Sequence, residues 1–197
     1  MSRAALQALV DASIINRLQD CVLADLRAEL PFIKTVERYN GQFDENGVKR
    51  TAGAQQAIFI TALGAPSSKP EASGQRAHTV TLTAYVLSVD TGSIRRDVAA
   101  FAIAEKIAEL AHFRRWTGWP GRLGHANEVK ITRVASATLE AKGAALIAAS
   151  WSNAVALGAD QLANPEGTPA HLDSVAIGQA SVRGEQFDGI DGEGGNG

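Results

Sequence analysis

Residues 79–87 read Thr-Val-Thr-Leu-Thr-Ala-Tyr-Val-Leu, an alternation that sends Val80, Leu82, Ala84 and Val86 to one side of a strand and Thr79, Thr81, Thr83 and Tyr85 to the other. A chain with such a strand must build a sheet whose one face closes on a core while the other stays wetter. The apolar face needs a cover, and two helical periodicities supply it. Ile15, Leu18, Val22, Leu26 and Leu30 recur every three or four residues, widened by Ile14 and Cys21, with Asn16, Arg17, Gln19, Asp20 and Arg27 opposite. Asp11 or Ser13 is placed to cap this helix, Pro31 ends it, and residues 3–10 either extend it or form a separate turn. A second helix is expected over residues 93–111, capped by Ser93, with a stripe of Val98, Phe101, Ala104, Ile107, Ala108 and Ala111 flanked by Ile103 and Leu110.

More strands are expected at residues 32–39 and 56–62, where β-branched and aromatic residues gather. Between them, residues 41–55 are polar and carry turn signals, and after them residues 64–74, with Pro66, Ser67, Ser68 and Pro70, read as a second loop. Two long extended runs, 128–140 and 144–157, joined by Ala141, Lys142 and Gly143, predict an antiparallel hairpin. In the second run Ala145, Ile147, Ala149, Trp151, Asn153 and Val155 share a face. A hairpin of this length leaves edges that need covering by the chain itself or by another subunit. The expected fold is therefore α/β in the α+β sense: a mostly antiparallel sheet with a long C-terminal hairpin, packed by two amphipathic helices.

The 197 residues suffice for one domain with an appended segment. Residues 158–197 hold seven acids, the single base Arg183 and nine of the 19 glycines, and their net charge of −6 leaves +4 for residues 1–157. The expected organisation is a domain over 1–157 and an acidic, Gly-rich, partly flexible extension over 158–197. An overall balance of −2 argues against a protein whose main work is coating DNA or an anionic membrane. One cysteine, Cys21, excludes an intramolecular disulfide, and no stretch has the length of a membrane span or the pattern of a signal peptide. A soluble protein made in a reducing cytosol is expected.

Catalytic constellations do not emerge. His78, His112, His125 and His171 fall in separate contexts without paired metal ligands, no Gly-x-Ser-x-Gly turn is present, and no helix follows the glycines between Gly118 and Gly124. Asp44 with Glu45, and Glu105 with Glu109, read as solvated carboxylates. No cofactor or metal is expected. The richer features are Arg95-Arg96 and Arg114-Arg115, which bracket the second helix, and Trp116 and Trp119 just after it. Arg and Trp are favoured at interface centres, and the same residues also suit a helix end and a core cap, so both readings stand.

The run Thr79-Val80-Thr81-Leu82-Thr83-Ala84-Tyr85-Val86, the helix at 97–110, the link Trp116-Thr117-Gly118-Trp119-Pro120 and the hairpin ending Ala149-Ser150-Trp151-Ser152-Asn153 resemble the tail terminator proteins of Mu-like phages and prophages. The resemblance covers about half of the chain and rests on pattern. It implies a virion protein, not an enzyme, whose copies form a homo-oligomeric ring, a hexamer, on the head-proximal end of the tail. The ring would stop tube polymerisation, bind the tail tube protein and the head-tail connector protein, and touch DNA only as it passes through the lumen. Arg95, Arg96, Arg114, Arg115, Trp116 and Trp119 are then expected at subunit or connector contacts, and loops 41–55 and 64–77 at the tube or a neighbour. Competing readings are a head-completion connector protein, a small enzyme with an unrecognised site, and a DNA-binding accessory protein.

Overall fold

The computed structural model describes residues 2–39, 55–71, 74–113, 116–119, 123–135 and 137–157. Among them the chain runs α1 (Arg3–Asp11), α2 (Ile14–Glu29), β1 (Thr35–Arg38), β2 (Gln56–Pro70), β3 (Arg76–Val89), α3 (Arg96–Phe113), β4 (Asn127–Arg133), α4 (Ala137–Ala141) and β5 (Ala144–Leu157). The five strands form one sheet in the order β1-β2-β3-β5-β4. β1 is parallel to β2 and every other pair is antiparallel, as the α+β reading requires.

The alternation read from β3 holds: Val80, Leu82, Ala84 and Val86 are all fully buried. Ile58 and Ile60 from β2 and Ile147, Ala149, Trp151 and Val155 from β5 complete that face. α2 lies over β1 and β2, and α3 over β3, β5 and β4, so both helices cover the same side. α2 presents Leu18, Val22 and Leu26, with Ser13 as its cap, the hydroxyl accepting the Asn16 N–H at 3.3 Å. Cys21 is buried as its helical position predicts. On the opposite face a smaller cluster of Tyr39, Ala57, Phe59, Leu87, Ala144 and Leu146 gathers under Leu139 of α4.

Four expectations are corrected. Residues 64–70 are not a loop: β2 continues to Pro70 beside β3 through bulges around Gly64. β1 pairs only with Ala57 to Ile60, so beyond it β2 has no partner on that side among the described residues, and there the missing N–H groups of Pro66 and Pro70 cost the ladder nothing. The long first arm of the hairpin is shorter than read, because β4 stops at Arg133 and residues 137–141 form the helical turn that buries Leu139. β5 takes its full-length partner from β3 instead, from Arg76↔Leu157 to Val89↔Ala144. Ser93 does not cap α3: Thr91 and Ile94 close a turn at Gly92, whose φ is +56°, and the Asp90 carboxylate accepts the Arg96 N–H at 2.8 Å. The inward stripe of α3 is Ala100, Ile103, Ala104, Ile107, Leu110 and Ala111, with Val98 and Phe101 facing out. Loop 41–55 lies almost wholly outside the described residues, as does the whole of 158–197.

Truncation of Ile107, fully buried beneath α3, to Ala is expected to cost about 2–5 kcal/mol in urea unfolding. The same truncation at Leu9 on α1, 60% exposed, is expected to stay within about 0.5 kcal/mol.

Candidate functional site

The residues singled out by sequence separate into two groups at opposite ends of α3, an 18-residue helix about 27 Å long. At its N-terminal end Arg95 is an exposed side chain held by Asp97, with N–O distances of 3.2 and 3.0 Å. Asp97 sits in the first helical turn. Desolvation raises its carboxyl pKa, but the Val98 N–H and the Arg95 guanidinium together outweigh that and hold it below the usual aspartate value. Arg96 turns back toward Asp90, its guanidinium 3.9 Å from the carboxylate. Residues 90 and 92–97 line a shallow cavity of about 290 Å³. Both arginines are therefore engaged in local ion pairs at the surface, geometry that leaves their outer N–H groups available to a partner.

Beyond the C-terminal end of α3, Trp116 has gone inside. It is 1% exposed, with its ring centroid 5.8 Å from that of Trp151 on β5. Trp116 is thus a core residue of the subunit and not an exposed contact, because its ring fills the space between the link and the sheet. Trp119 is half-buried against the same core. Among the described residues the indole N–H groups of Trp116, Trp119 and Trp151 find no acceptor. The link is pinned by α2: the buried Asp25 carboxylate accepts the Thr117 N–H at 2.9 Å, a long-range tie between helix and turn. On β5, Asn153 is fully buried and donates its amide to the Gly124 carbonyl at 3.0 Å. Arg114 and Arg115 lie outside the described residues.

Two apolar surfaces escaped the sequence reading of the site. α1 buries none of its residues, and Leu6, Leu9 and Val10 are 51, 60 and 44% exposed. The outward side of α3 shows Val98 and Phe101, 59 and 37% exposed. The i, i+3, i+4 spacing of Leu6, Leu9 and Val10 is a signal the sequence carries, whereas Val98 and Phe101 belong to a helix whose apolar residues spread beyond one stripe, among Glu105 and Glu109, and announce no single direction. Among the described residues no three His, Cys, Asp or Glu side chains gather as metal ligands, and no helix is long and apolar enough to cross a membrane.

No family model matches the sequence. No curated protein matches it. Among solved structures, a chain of the virion of a native gene transfer agent particle is similar at a TM-score of 0.48 and 16% identity, over 71% of this chain and 95% of that one.

Removing the buried Asp25 carboxylate with Asp25→Ala breaks its hydrogen bond from the Thr117 N–H, which ties the link to α2. It is expected to lower stability by about 1–3 kcal/mol and to red-shift tryptophan emission as the link loosens. The Cys21 thiol is pushed above its ordinary pKa by burial, with Arg17 opposing and Asp25 and Asp20 adding to the rise. A thiol-disulfide colorimetric reagent at mildly alkaline pH is accordingly expected to leave Cys21 unmodified in the native protein and to react fully in concentrated urea.

Proposed function

We propose that this chain is a structural protein of a phage-like virion and, within that class, a tail terminator. Its copies form a six-membered ring that caps the head-proximal end of the tail tube, stops polymerisation and receives the head connector. The observation that carries this reading is the residue succession it rests on: strand, helix, Trp-containing link and closing strand pair fold as β3, α3, the 116–119 link, β4 and β5, one contiguous half of the sheet with α3 laid across it. Supporting it are solvent-exposed apolar side chains on two different helices, the condition for a heterologous contact that closes into a ring. A second copy, the tube protein and the connector are the partners on this reading, DNA passes through the lumen, and no cofactor takes part.

Arg95, Arg96, Trp119, Arg114 and Arg115 are proposed at subunit or connector contacts, with Trp116 holding Trp119 in place from the core side. The acidic 158–197 segment is proposed as an extension appended to the 1–157 domain for a partner of this particular particle.

Deletion of the gene, followed by electron microscopy of lysates, is expected to give overlong, headless tail tubes. Tubes of normal length that fail to join filled heads would replace termination with the connector role, and normal infectious particles would overturn both. Reversing charge with Arg114→Glu and Arg115→Glu together is expected to reduce infectious titre, scored by plaque counts; an unchanged titre removes both residues from the contact.

A further inference from the structure

α1 is a nine-residue helix, shorter than the ~12–15 residues at which an isolated helix holds in water, and it buries no residue of its own. Ser2 caps it, the hydroxyl accepting the Ala5 N–H at 3.2 Å, and Gln7 donates to Asp11 at 2.8 Å, so its geometry is set locally while its apolar side faces solvent. Arg3, Leu6 and Val10 fall at i, i+3 and i+7, with Leu9 beside them, on one side of the helix. The outward side of α3 carries the matching pattern: Val98, Phe101, Ala102 and Glu105 at i, i+3, i+4 and i+7, all exposed. Among the described residues neither Arg3 nor Glu105 has an ion pair, although Arg95, Arg96 and Lys106 are all engaged in one.

The two stripes each run over seven residue steps, about 10 Å of helix. Laid antiparallel, they set Arg3 against Glu105, Leu6 into the gap left by Ala102 beside Phe101, and Val10 with Leu9 against Val98. The charges are complementary only in that orientation, because in the parallel one the polar end of each stripe would meet the apolar end of the other. We propose that α1 of one subunit packs antiparallel on the outward face of α3 of a second copy of this chain. The occupant is a second copy because the required partner surface, a helix stripe of that length ending in an unpaired carboxylate, is present on the chain itself. The contact uses two different surfaces and is heterologous, so each subunit offers α1 on one side and α3 on the other, as a closed ring needs. This inference rests on the ring reading above and names the helices that join its subunits.

The test is cross-linking of the full-length protein carrying Leu6→Cys and Ala102→Cys with a short bismaleimide, with circular dichroism confirming the fold and each single-cysteine variant as control. A ladder extending beyond dimer is expected. Leu9→Glu is expected to weaken the ladder at least about tenfold, and Arg3→Glu or Glu105→Arg alone by about two- to fivefold, with the double charge swap restoring it. Cross-linking that stops at dimer overturns the heterologous contact. No cross-link in a folded protein that still forms rings on tail tubes by electron microscopy overturns the α1–α3 pairing and leaves the ring standing. A wild-type protein that assembles neither alone nor on tube ends overturns the ring itself.

Discussion

β3 and β5 pair residue for residue over the whole of both strands, from Arg76 with Leu157 to Val89 with Ala144, and the rest of the molecule hangs on that register. It sets Leu82 beside Trp151 and Val86 beside Ile147 on the core face, and Thr81 beside Ser152 on the other, where the two hydroxyls lie 3.1 Å apart. A slip of one residue would turn Trp151, Ile147 and Ala149 out of the core together. Because Trp151 is where Trp116 packs, the link after α3 also finds its seat through this register, and Asp25 on α2 then fastens the link at Thr117.

With both covering helices on one side, the molecule has an uneven surface. α2 is buried along one face and polar along the other, the ordinary state of a helix on a sheet. The sheet takes only one side of α3, which leaves Val98 and Phe101 in water on the same outward side as Glu105 and Glu109. α1 adds an amphipathic stripe that buries none of its residues against the described part of the subunit. A monomer gains nothing from exposing such side chains, whereas an assembly uses them as contact surface.

The elements with strong periodicity were legible in the sequence. β3, the face composition of β5, and the buried face of α2 all follow from spacing alone, since alternation and the helical repeat survive whatever packs against them. Residues 64–70 were not legible, because Gly and two prolines speak for a loop unless the strand has a side without a partner, and a single sequence does not reveal which side that is. The inward side of α3 was hidden for a related reason: a helix with alanines on most sides, and with Val98 and Phe101 outside its buried stripe, has no sharp apolar direction. Of the candidate site, the arginines at the start of α3 lie at the surface in local ion pairs, and Trp116 lies in the core, since Trp serves an interface and an interior equally well by composition.

By itself the sequence determined the period of each main element and hence the class of fold, because hydrophobic alternation at two and at 3.6 residues forces a one-sided sheet with helical cover. It also determined that α2 stops before Pro31 and narrowed its cap to Asp11 or Ser13, since capping and the proline ring act over three or four residues; the structure chose Ser13. Tertiary structure alone decided strand order, the parallel β1, the partner of β5 and which side of α3 meets water. Each of these depends on contacts between segments far apart in the chain, where burial chooses among arrangements that local preference leaves equal.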